Sequence, residues 1–337
     1  MSPLERYMTV LRAGVPDFLP RIPIVMQYAA EYVGSDYGAF ASDFAVLVRA
    51  NCACAADFGF EQLSAISDPY RETHGFGGDV TYVRDGVPRC TTVLGSSKDM
   101  ALLGRPDPHG SARMRDRLQA IEAYRAQQGG RYSVMGWVEG PAAEAADLRG
   151  VTNFLMDLVD DGAFAALLMD RCLEVGVAFA LAQIAAGADT IGIGDAVASQ
   201  LSPATYGSLV QPREMALVRA IHDAGASVRL HICGNITHLL PGIAGLGVDI
   251  LDIDHMVDPV RARRAAGQVV LCGNINPVEG VLRGTPASIR AHVRATYRAA
   301  GNPFMVGAGC EIPSGTPVEN LKALCEPVPY DPLAGRS

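Results

Sequence analysis

The sequence predicts an α/β protein folded as a closed (β/α)8 barrel, the TIM-barrel architecture. Eight short segments of almost uninterrupted apolar residues recur along the 337-residue chain, and longer alanine-rich segments of helical character separate them. Continuous apolar runs of this kind are typical of strands that are buried on both faces of a parallel sheet. Eight strands alternating with helices fit one barrel domain that spans residues 1–337.

The main alternative is an open, doubly wound sheet. That fold favours a glycine-rich phosphate loop after the first strand. Here the first predicted strand is followed by Gln-Tyr-Ala-Ala-Glu at 27–31, which is not such a loop. The predicted strands are 22–27, 62–66, 132–138, 190–194, 228–233, 248–253, 269–273 and 304–307.

Helix signals fill the intervals between these strands, at 40–58, 151–159, 164–186, 206–224 and 286–299. Ser202-Pro203 and Thr285-Pro286 each give an N-cap followed by a proline in the first turn. Gly225 and Gly301 mark the corresponding helix ends. An N-terminal helical extension is expected before the first strand.

One segment interrupts the alternation of strands and helices. Residues 79–90 predict a β-hairpin insertion around the turn Arg-Asp-Gly at 84–86. The glycine-rich stretch at 75–78 precedes it, and we expect this stretch to form a flexible rim at the mouth of the barrel.

Composition excludes several classes of function. The formal net charge is −8 and charged residues make up 19% of the chain, so a basic face for nucleic acid is not expected. The N-terminus has no signal-peptide pattern, and the longest apolar run, near 175–188, is too short to cross a membrane. We therefore expect a cytoplasmic protein whose eight cysteines are reduced.

Polar residues follow each predicted strand, at the end of a barrel where catalytic groups usually lie. The sharpest set is His231, Cys233 and Cys310. Residues i and i+2 of a strand point to the same side, so His231 and Cys233 should leave the fifth strand together. Two thiolates and one imidazole suit Zn²⁺ with one open position. Spacing alone leaves a second interpretation open, in which these are core residues.

Four further residues at strand ends are candidates for the same site. Glu139 and Asp195 are expected to act as a fourth zinc ligand, as substrate-orienting groups or as proton acceptors. Asn235 and Asn274 are assigned to cofactor binding. For Asp195 and for each asparagine alone, a helix N-cap is an equally good explanation.

Three motifs carry a resemblance to a known family: His-Ile-Cys-Gly-Asn at 231–235, Gly-Asn-Ile-Asn-Pro at 273–277, and Gly-Cys-Glu-Ile-Pro at 309–313 followed by Thr-Pro-Val-Glu-Asn-Leu at 316–321. Together they resemble the uroporphyrinogen decarboxylase superfamily, and more narrowly its corrinoid-dependent methyltransferase branch. The resemblance extends from about residue 21 to residue 321. It implies a (β/α)8 barrel and a catalytic zinc ion bound by His231, Cys233 and Cys310.

The resemblance also implies a methyl transfer between a small substrate and the cobalt of a corrinoid that a separate protein carries. The substrate is a methylated compound, a thiol or a folate, and the direction of transfer stays open. Decarboxylation of uroporphyrinogen is the weaker alternative, because residues 25–32 lack the arginines that hold the substrate carboxylates in true decarboxylases. A non-catalytic barrel that binds a metal or a corrinoid protein is the second alternative.

Overall fold

The computed structural model describes residues 1–335 and has the predicted barrel architecture. Seven parallel strands form one sheet in the order β1-β4-β5-β6-β7-β8-β9, and β2 pairs with β3 in a separate antiparallel hairpin. The strands are β1 Gln62–Ser64, β2 Val80–Val83, β3 Gly86–Cys90, β4 Ser133–Glu139, β5 Thr190–Gly194, β6 Ser227–His231, β7 Ile250–Ile253, β8 Val270–Ile275 and β9 Phe304–Ala308.

The predicted first strand at 22–27 is wrong as a regular strand, although the segment occupies the expected place. The amide of Ile22 donates to the carbonyl of Val306 at 2.9 Å, and the amide of Glu61 donates to the carbonyl of Arg21 at 3.0 Å. This segment therefore bridges β9 and β1 and closes the barrel. Pro20 and Pro23 have no N–H to donate to a ladder, which explains why regular pairing does not extend further.

Helices form the outer layer of the barrel. They are α1 Pro3–Leu11, α2 Gln27–Tyr32, α3 Tyr37–Ser42, α4 Phe44–Phe58, α5 Arg71–Gly75, α6 Ala112–Gln128, α7 Pro141–Arg149, α8 Val151–Asp160, α9 Gly162–Ala185, α10 Pro203–Thr205, α11 Gln211–Asp223, α12 Leu240–Ile243, α13 Pro259–Ala266, α14 Pro286–Ala300 and α15 Val318–Leu324. Two 3₁₀ turns, Met100–Leu102 and Ala196–Gln200, and two π-helical turns, Tyr206–Val210 and Pro277–Leu282, complete the layer.

Two predicted helices differ from the structure in detail. The helix predicted at 40–58 is divided, because Asp43 is extended and its carboxylate caps the amide of Ala45. The helix predicted at 206–224 starts earlier, at Pro203, and its first part is a π-helical turn. The caps at Ser202 and Thr285 are confirmed.

Helix α1 covers the bottom of the barrel, opposite the ends of the strands that carry the candidate site. Its Tyr7 and Val10 pack against Ile22, Ile250 and Met305 in a buried cluster. The hydroxyl of Tyr7 also bonds to that of Thr190 at 2.8 Å. The interior below the mouth is therefore filled, and solvent reaches the site from the top.

Among residues 1–335, no helix combines the length and the apolar character that a bilayer crossing requires.

Candidate metal centre and active-site cavity

The structure brings together the three residues that the sequence proposes as metal ligands. Strand β6 ends at His231, Cys233 follows two residues later, and Cys310 follows β9. Nε2 of His231 lies 3.0 Å from Sγ of Cys233 and 3.7 Å from Sγ of Cys310, and the two sulfur atoms are 3.6 Å apart. Three donor atoms on separate segments thus form one small triangle.

The size of this triangle fits zinc. Zinc–nitrogen and zinc–sulfur bonds of about 2.05 and 2.3 Å at tetrahedral angles give donor separations of about 3.6 Å for N to S and about 3.8 Å for S to S. Two of the observed separations, 3.6 and 3.7 Å, are within 0.2 Å of these values, and the 3.0 Å separation needs a small side-chain movement. Three protein ligands leave a fourth position for a substrate atom.

Glycines allow the backbone to approach closely at this point. Gly234 has a φ of 91°, so the chain can turn immediately after Cys233. A Cβ atom on Gly309 would lie 2.7 Å from the backbone nitrogen of His255. These two positions let Cys233 and Cys310 face each other across the mouth.

His231 is held by a buried carboxylate on the next strand. Its Nδ1 lies 2.9 Å from Oδ2 of Asp252, and Nε of Arg229 donates to both carboxylate oxygens of Asp252 at 2.9 and 3.0 Å. Although burial opposes ionisation, Arg229 and His231 hold the pKa of Asp252 below its usual value. The arrangement fixes the imidazole with Nε2 toward the thiols, as the second partner of a zinc-bound histidine commonly does.

The two thiols differ in acidity. The hydrogen bond between them lowers the pKa of Cys310 to about 4 and raises that of Cys233, with His231 further favouring the Cys310 thiolate. The contacts therefore favour the thiolate at Cys310, and the thiolate is the form of cysteine that binds metals.

A small cavity of about 170 Å³ opens beside the triangle. Trp137, which is 3% exposed, packs with Ile24, Ile66 and Met135 beneath it. The indole lies over β5, where a Cβ atom on Gly192 would come within 2.2 Å of the ring. Besides His231, Cys233 and Cys310, the cavity is lined by Ile24, Met26, Ile66, Asp68, Pro69, Trp137, Glu139, Gly194, Ala196 and Glu311.

Glu139 lies on the wall of this cavity, at the end of β4. Its Oε1 accepts hydrogen bonds from Arg71 at 2.7 Å and from the Trp137 indole at 3.1 Å. Burial raises the pKa of Glu139 well above its usual value, and the attraction of Arg71 only partly opposes this. Glu139 is therefore a buried acid with direct access to the space beside the thiols.

Asp195 occupies a different place from the one expected. It is fully buried and accepts hydrogen bonds from the amides of Ala142 and Ala143 at 3.3 and 2.8 Å. The prediction that its side chain faces the same cavity as His231 is wrong, because the carboxylate points into the helix layer and holds the N-terminus of α7. A Cβ atom on Gly140 would lie 2.4 Å from this carboxylate, so the contact depends on glycine.

The two asparagines also lie in dissimilar environments. Asn235 is exposed, and its side-chain oxygen accepts from the amide of Thr237 at 3.1 Å. Asn274 is buried, where its amide donates to the carbonyl of Val257 at 2.9 Å and accepts from Thr296 at 3.1 Å. A contact between Asn274 and a cofactor at the mouth would require these bonds to break.

The sequence gives no sign of the two arginines, Arg71 and Arg113, that donate hydrogen bonds to the acids around the cavity. Arg113 donates to both carboxylate oxygens of Asp68 at 2.7 Å. Arg71 follows β1 by seven residues, and its guanidinium is completely buried beside Glu72 and Glu139. A buried arginine on a helix has no distinctive spacing, so no local signal marks these partners.

The fold and the triangle of His231, Cys233 and Cys310 define a barrel with a candidate metal centre at the ends of its strands. The chain belongs to the uroporphyrinogen decarboxylase (URO-D) family, which it matches over residues 2–329.

The relatives of this chain within the family are named for two different activities. The chain is 27% identical to the methylcobamide:CoM methyltransferase MtbA of Methanosarcina mazei over 96% of its own length and 97% of the relative's. It is 30% identical to the corresponding MtaA of Methanosarcina barkeri, over 61% of each chain. It is 25% identical to the uroporphyrinogen decarboxylase of Microcystis aeruginosa, over 94% of its own length and 95% of that enzyme.

A solved structure confirms the fold. A methyltransferase from Methanosarcina mazei superimposes with a TM-score of 0.88 at 22% identity, covering 96% of this chain and 97% of that chain.

Proposed function

We propose that this protein is a zinc-dependent methyltransferase that moves a methyl group between a small substrate and the cobalt of a corrinoid carried by a separate protein. The observation that carries the proposal is the triangle of His231, Cys233 and Cys310 beside an open cavity. Relatives named as methylcobamide:CoM methyltransferases, one of them similar over 96% of this chain, support the same class of reaction.

Different residues would bind the metal, orient its histidine ligand and exclude water at this centre. His231, Cys233 and Cys310 would hold the zinc ion, which supplies a Lewis acid that stabilises a thiolate or a leaving heteroatom near neutral pH. Asp252 orients the imidazole. Trp137 and the aliphatic residues around it exclude water from one side of the reacting atom.

Glu139 is the residue of the cavity wall that we assign to proton transfer. A thiol that binds as a thiolate must release its proton, and a methoxy or thioether group that leaves must regain one. The raised pKa of Glu139 brings it closer to the acidity of such groups. Arg71 fixes the carboxylate at 2.7 Å, so it can accept or return the proton without changing place.

Decarboxylation of uroporphyrinogen is less favoured by the same cavity. That substrate carries eight carboxylates, which need basic partners. Among the described residues that line this cavity there is no arginine or lysine. The histidine and cysteine set would also have no role in that reaction.

The experiment is a spectroscopic assay of the corrinoid as it changes between its methylated and reduced forms. Purified protein is mixed with a corrinoid protein and a panel of methylated donors or thiol acceptors, and Cys310→Ala is run beside the wild type. Turnover that depends on Cys310 supports the proposal. Bound zinc without turnover of any donor or acceptor would instead support a non-catalytic metal-binding barrel.

A further inference from the structure

Two cavities lie beside the thiols, and an anionic substrate would need a cationic partner in one of them. The inner cavity is the 170 Å³ space beside Trp137, and a larger outer cavity of about 590 Å³ adjoins it at Cys310 and Glu311. Among the described residues that line either cavity, none is lysine or arginine. The outer cavity is lined by Gln27, Asp254, His255, Asn276, Pro277, Val278, Glu279, Cys310, Glu311, Pro313 and Ser314.

The basic groups nearest to the inner cavity are already paired. Arg113 holds both oxygens of Asp68, and Arg71 is bound to Glu139. Both guanidinium groups are at least 95% buried. An anion would have to displace Asp68 or Glu139 to reach these donors. The one nitrogen of Arg71 without a hydrogen bond, Nε, is completely buried and lies 3.6 Å from Glu72, so neither arginine is open to a sulfonate or a carboxylate.

The histidine of the outer cavity adds no net positive charge even when it is protonated, because a carboxylate lies against it. Nδ1 of His255 lies 2.7 Å from Oδ1 of Asp254. A zinc ion with two cysteine thiolates and a neutral imidazole would carry no net charge, since the two thiolates balance the cation. The metal centre therefore would not replace the missing basic residue.

Apart from the candidate metal ligands and the acids Asp68, Glu139 and Glu311, the lining of the inner cavity is apolar. Ile24, Met26, Ile66, Pro69 and Trp137 line it with apolar side chains. Moving an unpaired anion from water into such a space is unfavourable, whereas an alkyl or aryl group gains from burial there.

We infer that the substrate whose sulfur or oxygen reaches this centre carries no anionic group next to the reacting atom, and is an uncharged thiol, methyl thioether or methyl ether. The inference rests on the proposed function, since it concerns the substrate of the same centre. An uncharged substrate would distinguish this chain from the relatives that are named as methylcobamide:CoM methyltransferases. Coenzyme M is 2-mercaptoethanesulfonate, which is an anionic thiol.

The test uses protein in which cobalt(II) replaces zinc, because a thiolate that joins the metal changes its absorption spectrum. The protein is titrated with 2-mercaptoethanol and with 2-mercaptoethanesulfonate, which share the two-carbon thiol and differ in charge. We expect the uncharged thiol to bind at least about tenfold more tightly, since the sulfonate loses hydration without gaining a partner. Equal or tighter binding of 2-mercaptoethanesulfonate overturns the inference and leaves the proposed function intact.

Uncharged methyl thioethers and methyl ethers are added in the same way, and a cobalt spectrum that changes with none of these compounds and with neither thiol contradicts the proposed function and this inference with it. A pair of variants adds a second measurement. Met26→Lys places a cation on the cavity wall, and Met26→Gln changes the same side chain without a charge. Tighter binding of 2-mercaptoethanesulfonate to Met26→Lys alone supports the inference, and an equal change in both variants contradicts it.

Discussion

Nδ1 of His231 lies 2.9 Å from Oδ2 of Asp252, and this contact determines which imidazole nitrogen faces the two thiols. Asp252 is 3% exposed and is held from below by Arg229 on β6. The carboxylate therefore cannot turn toward solvent, and the orientation of His231 follows from the packing of two adjacent strands. The orientation of this candidate metal ligand is thus set by the barrel interior beneath it.

Asp252→Asn should weaken the binding of zinc by about 10- to 100-fold, because the orienting negative charge on His231 is lost. The measurement is a zinc titration against a chelator of known affinity. Asp249→Asn is a matched control, since Asp249 contacts His222 at the same distance of 2.9 Å on the surface, away from the thiols. Equal zinc affinity in Asp252→Asn and the wild type would contradict the assigned role.

Cys310→Ala should lose most of the bound zinc and keep its fold. Cys310 lies on a loop after β9 and is partly exposed, so its side chain contributes little to the core. Elemental analysis should find about one zinc per wild-type chain, and circular dichroism should be unchanged in the variant. Cys90→Ala, at a partly exposed cysteine of the hairpin, should retain the metal. Wild-type protein that is free of zinc after purification would count against the site.

Glu139→Gln should lower the rate of methyl transfer by about 10- to 100-fold while the zinc content stays the same. The glutamine keeps the size of the side chain and removes its ability to accept a proton. The pH dependence of kcat should also change, which a merely structural role would not produce. Glu174→Gln, at an exposed ion pair with Arg105, serves as the control. An unaltered rate and pH profile would exclude Glu139 from proton transfer.

Much of the fold is predictable from local patterns. The helix caps at Ser202 and Thr285 follow from residue type and position, and both occur in the structure. The segment 22–27 shows the limit, because its apolar pattern matches a strand while Pro20 and Pro23 prevent regular pairing. Periodicity reports burial, and it does not report which amides are available.

The clustering of His231, Cys233 and Cys310 is predictable because these residue types are rare and chemically specific. Glu139 and Asp195 look equivalent in the sequence, since each ends a strand. The structure separates them by the direction of the side chain: Glu139 faces the cavity, and Asp195 caps α7. That direction depends on how the chain leaves the strand and on the space beside Gly140, and neither has a signature in one sequence.

The stability of the protein should depend on pH, because several acids are buried around Arg71. Burial, with the nearby charge of Glu72, raises the pKa of Asp147 to about 7. The folded protein therefore holds this proton more tightly than the unfolded chain does. The free energy of unfolding should fall as the pH rises from about 4 to about 7, and the loss should be complete above that range.

Asp147→Asn should remove part of this dependence. Relative to the wild type, the variant should gain about 1–2 kcal/mol more stability at pH 8 than at pH 5. Urea unfolding at the two pH values provides the measurement. Asp160→Asn, at an exposed position on α8, should show the same pH dependence as the wild type. A parallel shift of Asp147→Asn at both pH values would refute the assignment.

A corrinoid-carrying protein that docks at the mouth of the barrel should quench the fluorescence of Trp137. Trp137 is the single tryptophan of the chain and lines the inner cavity, so the intrinsic fluorescence reports directly on the mouth of the barrel. A corrin ring absorbs in the near ultraviolet and should quench this emission when it is brought to the mouth. We expect strong, saturable quenching with a corrinoid-carrying protein and weaker quenching with free cobalamin at the same concentration. The docking surface of a carrier protein adds contacts that the free cofactor lacks, while the need to release it keeps the interface modest.

The carrier protein without its corrinoid is the matched control, because it preserves the protein contacts and removes the quencher. Equal quenching by free and carried corrinoid, corrected for absorption, would show that docking of a partner contributes nothing to delivery.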